Sequence, residues 1–235
     1  MPLGIDRPST TAPDSLEDGL RAVLSALRAR SAAEPTRRAD APDAGVWPAG
    51  ALVALLGFDD QRVDLAGSLY AHVVLEDGTL PSPRPPSEME RERCEMTHAC
   101  RAELASRALC QTARAIGPGG LLGAIAAAGG GLGDASLAVG CALVLPAPRA
   151  MGTQPAASIA TQLFHEAPGR VLLAIPATCY ADATLLAASH GVPLLPLGRT
   201  GGRELVVRAT DGDNAFREVL RVSLATLCSL PGSGS

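Results

Sequence analysis

A short run that is apolar at both phases of a strand's two-residue repeat constrains the fold most strongly. Residues 171–175 read VLLAI, so neither face of this stretch is polar. Such a run is typical of a strand that is covered on two faces, because a half-exposed strand alternates apolar and polar residues. The sequence therefore predicts a sheet with helices on both sides, and residues 181–189 and 214–228 are the expected covers. Their expected contacts with this strand are Leu185, Leu186, Val219, Leu220 and Val222.

Strand and helix patterns alternate along the chain from residue 50 onward. Residues 51–57 (ALVALLG) form a continuous apolar run that ends in glycine, which predicts a buried strand. Further strands are expected at 69–75, 137–145, 170–175, 194–197 and 204–207. Helices are expected at 87–115, 121–128, 158–164, 181–189 and 214–228. This alternation predicts an α/β (α+β) fold with a mixed sheet.

The first 48 residues have a different character. Residues 15–18 (SLED) have the form of a capping box, and apolar residues then recur at helical spacing, which predicts an amphipathic helix at about 16–30. This helix either docks a partner or packs on its own domain. The stretch at 31–45 is linker-like. No apolar leader region and no long apolar span is found, so we expect a cytoplasmic chain without a membrane segment.

Composition excludes several classes of function. All 20 basic residues are arginine, which rules out a Walker lysine, a Schiff-base lysine and an SxxK nucleophile pair. A net charge of -4 and 3% aromatic residues give no basis for binding nucleic acid. The six cysteines are irregularly spaced in a chain of this size, which indicates reduced thiols.

A glycine-rich turn at residues 117–120 (GPGG) precedes a predicted helix. Backbone N–H groups at a helix N-terminus can cradle a phosphate, although Pro118 removes one donor and such sequences are also ordinary turns. The second glycine cluster, at 129–133, follows a helix and fits a C-cap.

Two further clusters contain residues of chemical interest. Cys94 and His98 share a helix face, and Cys100 and Cys110 are nearby, but no second paired cluster completes a zinc site. We therefore expect no metal site. The pair at 165–166 (His-Glu) is either an acid/base pair or exposed polar surface.

Three sequence strings resemble phosphoribosylformylglycinamidine synthase, the ATP-dependent amidotransferase family of purine biosynthesis. Residues 163–172 (LFHEAPGRVL) are similar to the family pattern LF.E..GRVLV, and residues 191–205 resemble GVP...IG.VGG..L. Residues 55–70 are similar to LLG...GGSEY, with Leu69 in place of the family's glutamate. Order and spacing agree from about residue 50 to about residue 230.

The resemblance implies the C-terminal half of the synthetase part and a fold of the aminoimidazole ribonucleotide synthetase-like type. The first half and the glutaminase are not matched. The implied organisation is an N-terminal helix and linker at 1–48, a remnant of the ATP-lobe-type domain at 49–86, and a synthetase C-terminal-like α/β domain at 87–230.

The family carries the motif AHDVSDGG, whose aspartate helps to hold magnesium and whose serine touches a nucleotide. The matching residues 113–120 read ARAIGPGG, with Ala115 at the aspartate and Gly117 at the serine. Alanine and glycine side chains offer no oxygen donor to a hard cation. The resemblance leaves Arg114, Gly117, Gly119 and Gly120 as candidate nucleotide or phosphate contacts, with no catalytic residue and no metal ligand; Arg114 is either a phosphate contact or a solvated or carboxylate-paired side chain.

The implied activity is ATP-dependent amidation of formylglycinamide ribonucleotide. The family uses ATP and magnesium, but the motif for them is degraded here, so we expect a lobe that is not catalytic alone. Expected partners are the missing synthetase half, a glutaminase subunit or a second copy of the chain. The alternative is a non-catalytic scaffold or interaction subunit derived from the same domain.

Overall fold

The structure, a computed structural model, describes residues 15–33, 46–58, 65, 68–75, 86–130, 137–146, 159–210 and 216–229. The helices in these residues are α1 (Leu16–Ala33), α2 (Leu69–Val74), α3 (Glu88–Ser106), α4 (Gly120–Ala128), α5 (Ile159–Phe164), α6 (Tyr180–Ser189) and α7 (Leu224–Cys228). The strands are β1 (Leu52–Leu56), β2 (Thr112–Ala115), β3 (Cys141–Leu145), β4 (Val171–Ile175), β5 (Leu194–Thr200), β6 (Glu204–Thr210) and β7 (Phe216–Ser223).

The seven strands of the described residues form one sheet in the order β2-β4-β1-β5-β3-β6-β7. Only β3 and β6 pair in parallel, so the sheet is mixed, as expected. Strand β1 comes from the expected 49–86 unit, yet it pairs with β4 on one side and β5 on the other, both from the 87–230 unit. The division into three units stays a prediction.

Strand β4 is buried on both faces. Leu172 and Ala174 of β4 belong to one apolar cluster, together with residues of α1, α2, α4, α5 and α7. Leu173 and its neighbours at positions 171 and 175 belong to a second cluster on the opposite face, together with residues of α3 and α6. The prediction of a strand covered on two sides is therefore confirmed for β4.

The expected helix at 214–228 is wrong. Residues 216–223 form β7, and only the short α7 follows as a helix. Leu220 and Val222 are buried while Arg221 between them is exposed, which is the two-residue period of a strand. Since β7 lies at the sheet edge beside β6, its residues do not cover β4, and α3 takes that place beside α6. Leu185, another expected contact, is 70% exposed.

The expected strand at 69–75 is also wrong, because these residues form α2 and a bend. Ser68 caps the helix by accepting a hydrogen bond from the Ala71 N–H at 3.1 Å. Tyr70 and Val74, four residues apart, are buried while His72 is exposed, so the buried face follows the helical period.

The long helix expected at 87–115 ends earlier. Helix α3 stops at Ser106, Ala108 has a positive φ of 53°, and residues 112–115 form β2, which pairs with β4. The strand expected at 137–145 begins only at Cys141. The strands expected at 194–197 and 204–207 exist as the longer β5 and β6, and β3 lies between them.

Helix α1 forms as expected and packs on its own domain. Leu20, Val23 and Leu24 are fully buried. The guanidinium of Arg28 donates to the carbonyl oxygen of Leu227 at 2.5 Å, which ties α1 to α7. Of the stretch at 31–45 that was expected to be linker-like, residues 31–33 belong to α1 and the remainder lies outside the described residues. No helix among the described residues has both the length and the apolar character that a bilayer span requires.

Helices α3 and α6 are joined by a polar contact between Glu103 and His190. The Glu103 Oε2 atom lies 2.7 Å from His190 Nε2, and Arg107 pairs with the same carboxylate. The hydrogen bond to His190, followed by the charge of Arg107, holds the pKa of Glu103 below its ordinary 4.5. A carboxyl whose pKa is lower in the folded state stabilises the fold above its unfolded pKa and loses that contribution as pH falls.

We expect Leu173→Ala to lower the free energy of unfolding by about 2 to 5 kcal/mol, because it leaves a cavity in the fully buried second cluster. Leu185→Ala is the matched control, and its exposed side chain predicts a change within about 0.5 kcal/mol. Urea denaturation measures both. Equal midpoints for the two variants would contradict two-sided coverage of β4.

We expect Glu103→Gln to be less stable than the parent at near-neutral pH, since the amide cannot form the ion pair with Arg107 and removes the carboxylate that faces His190. The difference should shrink as pH falls below the ordinary 4.5 of this group and through the lower pKa of the folded state. Urea denaturation across an acid pH series checks this, with the exposed Glu95→Gln on the same helix as control. A difference that persists unchanged in acid would show that the charge of Glu103 is not responsible.

Candidate functional site

Three of the four candidate residues lie at the turn that leads into α4, and Arg114 lies in the preceding strand β2. Arg114 is in β2, opposite Leu172 of β4, and Gly119 and Gly120 open the helix with positive φ values of 84° and 64°. A Cβ atom placed on Gly117 would meet nothing within 4 Å, so the turn is open beside this residue. Whether these residues bind a phosphate stays a prediction.

The end of the turn next to α4 is closely packed. A Cβ on Gly120 would lie 2.5 Å from the carbonyl carbon of Phe164, which leaves no room for a side chain against the backbone of α5. A Cβ on Gly119 would lie 2.9 Å from Val23 Cγ1 and 3.0 Å from Leu27 Cδ1, both of α1. Glycine is required here by the left-handed backbone and also by the close approach of two other elements.

The carboxylate of Glu166 binds the backbone of this turn. Its Oε1 atom accepts hydrogen bonds from the N–H of Gly119 at 2.7 Å and from the N–H of Leu69, the first residue of α2, at 2.6 Å. His165 is only 7% exposed. The reading of 165–166 as an exposed polar pair is therefore wrong, and Glu166 serves as a helix-capping group in the described contacts.

The loop around Glu166 is held in place by its neighbours. Arg170, only 3% exposed, donates to the carbonyl oxygen of His165 at 2.7 Å. The rings of Phe164 and Tyr70 stack with their centroids 4.2 Å apart, which joins α5 to α2 next to the carboxylate. Sequence reasoning missed this arrangement. The sequence feature that indicated it is the glycine at the N-cap of α4, which has no side chain to accept a hydrogen bond, so that another residue must do so.

The side chains of Ala115 and Gly117 offer no oxygen donor at the turn. These are the positions that the motif resemblance sets against the family's aspartate and serine. Among the residues that the structure describes, no group of three or more histidine, cysteine or acidic side chains is arranged to hold a metal ion.

The cysteine and histidine cluster of α3 is divided between the core and the surface. Cys100 is fully buried, and burial raises the pKa of its thiol to about 11. His98 is exposed, and Cys94 packs toward Gly169. A thiol with a raised pKa is a poor nucleophile and a poor metal ligand at neutral pH.

We expect Gly120→Ala to destabilise the protein by about 1 to 3 kcal/mol, because its Cβ would collide with the backbone of Phe164 at a positive φ. Gly119→Val should cost a similar amount. Gly117→Ala is the matched control, since its Cβ enters open space. Thermal and urea unfolding measure these changes. An unaltered denaturation midpoint for Gly120→Ala would refute the close packing.

No family model matches the sequence. The chain is 35% identical over 159 residues to the PurL subunit of phosphoribosylformylglycinamidine synthase from Nocardioides sp., which covers 67% of this chain and 18% of that protein. It is 32% identical over 184 residues to the same subunit from Mycolicibacterium vanbaalenii, and this alignment covers 76% of this chain and 20% of that protein. The chain thus spans about one fifth of the length of these curated relatives.

Solved structures of PurL share the fold. PurL from Thermotoga maritima complexed with FGAR superimposes with a TM-score of 0.57 at 14% identity, over 82% of this chain and 30% of that one. The structure of PurLQS from the same organism gives a TM-score of 0.57 at 15% identity, over 82% and 28%. The resemblance found in the sequence motifs is confirmed. The chain is therefore related to one part of the PurL subunit of phosphoribosylformylglycinamidine synthase and has the aminoimidazole ribonucleotide synthetase-like fold.

Proposed function

We propose that this chain is a PurL-type lobe that takes part in the ATP-dependent amidation of formylglycinamide ribonucleotide only together with the remaining parts of a PurL-type synthetase. The observation that carries the proposal is the small share of the relatives that the chain matches. More than two thirds of the chain aligns with PurL, yet the alignment covers about one fifth of the relative. A complete synthetase active site needs the remaining parts.

The turn itself supports a lobe that is inactive alone. ATP activates the amide oxygen of the substrate as a phosphate ester, which ammonia displaces, and this step needs magnesium to neutralise the phosphates. Ala115 and Gly117 offer no oxygen ligand for that ion. We propose that the magnesium ion is held by residues outside this turn.

If the turn contacts a phosphate, we propose that it does so beside Gly117, where the turn is open. The N–H of Gly119 donates to Glu166 and the N–H of Gly120 donates to the carbonyl oxygen of Gly117 at 2.9 Å, so both amides already have acceptors. The guanidinium of Arg114 and the open space beside Gly117 are the features that suit a phosphate from a partner-held nucleotide.

The partner is proposed to be the missing synthetase half, with a glutaminase subunit or a second copy of this chain as further candidates. Support comes from the Thermotoga maritima relative, whose structure is that of PurLQS, an assembly of several subunits. The alternative function, a non-catalytic scaffold derived from the same domain, is favoured by the loss of the oxygen donors and by the occupied amides.

We expect the purified chain to release no phosphate and form no amidine when it is given ATP, magnesium, ammonia and formylglycinamide ribonucleotide. Coupled phosphate detection and chromatography of the products measure this. Magnesium-dependent turnover by the chain alone would overturn the proposal that it needs a partner.

Reconstitution distinguishes the two candidate functions. The chain is mixed with a separately expressed remainder of the Nocardioides PurL relative, and turnover is measured again. Turnover that appears only in the mixture, and falls in an Arg114→Gln variant, supports the active lobe. Formation of a complex without turnover supports the scaffold. Arg101→Gln on α3 is the matched control for Arg114→Gln, because it removes an arginine away from the turn.

A further inference from the structure

We propose that the carboxylate of Glu166 is the anion that the glycine turn binds in this protein. It accepts the hydrogen bond of an N–H group that a phosphate would otherwise use, and it holds α2, α4 and the loop before β4 together. We call these three segments and Glu166 the carboxylate clamp. The proposal does not depend on the proposed function, because it concerns contacts within this chain.

One oxygen atom serves two helix beginnings in the clamp. The N–H groups of Leu69 and Gly119 lie 2.6 and 2.7 Å from Glu166 Oε1. The first N–H groups of a helix have no acceptor within the helix, so an acceptor must come from elsewhere. A carboxylate accepting from backbone N–H groups forms short, charge-assisted hydrogen bonds of this length.

Neither helix can satisfy these amides with its own cap. The N-cap of α4 is Gly119, which has no side chain, and the Ser68 hydroxyl at the start of α2 accepts from the Ala71 N–H instead. Glu166 therefore supplies the acceptor that the local sequence lacks at both places. Its partners are 97 and 47 residues away along the chain, so the clamp fixes tertiary structure.

The clamp is closed on its other sides. Val23 and Leu27 of α1 lie against Gly119, and Phe164 lies against Gly120. Glu166 is partly buried, and a hydrogen bond is electrostatically stronger where water is partly excluded. An external phosphate can reach these N–H groups only if Glu166 leaves them.

The charged groups near the clamp come from several elements. Arg170 and His165 lie in the same loop, Arg114 lies on β2, and His72 lies on the exposed side of α2. The two hydrogen bonds described above join the carboxylate to backbone N–H groups of α2 and of the turn before α4. Hydrogen exchange at these two amides therefore reports on the clamp itself.

The first experiment compares Glu166→Ala and Glu166→Gln with the parent. We expect Glu166→Ala to melt about 5 to 10 °C lower, and to show faster hydrogen exchange at the Leu69 and Gly119 amides than at amides of the sheet. Glu166→Gln keeps an acceptor oxygen, so its melting temperature and amide exchange rates should lie between those of the parent and of Glu166→Ala. Glu95→Ala, an exposed glutamate of α3, is the control for loss of a charge.

The second experiment asks whether the emptied position binds an anion. Sodium formate, the carboxylate group without its side chain, is added to Glu166→Ala, with sodium chloride at equal ionic strength for comparison. We expect formate to raise the melting temperature of this variant and to restore protection of the two amides, with no comparable effect on the parent.

The outcomes separate clearly. Selective rescue by formate supports the clamp and the anionic character of the position. If formate acts equally on the parent and the variant, or if both amides exchange at the parent rate in Glu166→Ala, the proposal is overturned. If Glu166→Ala does not fold, the same amide measurement on Glu166→Gln decides, because an unchanged exchange rate there would also overturn it.

Discussion

The antiparallel pairing of β1 with β4 is the interaction on which the rest of the structure depends. Five residues of each strand pair in register, from Leu52 opposite Ile175 to Leu56 opposite Val171. Their side chains alternate between the two apolar clusters, so this strand pair contributes to both cores. A buried backbone must have its hydrogen bonds satisfied, and the paired strands achieve this while leaving both faces apolar for the helices.

The sequence was informative where a local pattern determined the structure. The strands β1 and β4, whose residues are apolar at both phases, and the short helices α4, α5 and α6 were predictable because their own side chains specify them. The segments at 69–75 and 216–223 were assigned to the wrong class. The apolar run at 69–75 fits either a helix or a strand, and residues 216–223 mix apolar and charged residues in a way that fits both. For these, the Ser68 cap and the pairing with β6 decided the conformation.

The candidate site was only partly visible in the sequence for a related reason. The positions of Gly119 and Gly120 at the start of a helix followed from local rules, and their positive φ values agree with that reading. The contact of Glu166 with Gly119 and Leu69 joins residues far apart in sequence, and no spacing rule contains it. Gly119 and Gly120 therefore serve packing and capping in this fold, whatever ligand the turn binds.

The contact between Arg28 and Leu227 has a consequence for the order in which this protein is made. These residues are 199 positions apart, so α1 leaves the ribosome long before α7 exists. During synthesis the apolar face of α1 that carries Leu20, Val23 and Leu24 has no complete partner surface. Contacts of such sequence separation form slowly and leave apolar surface exposed meanwhile. A nascent chain that stops short of residue 227 would thus lack the contact that joins α1 to α7.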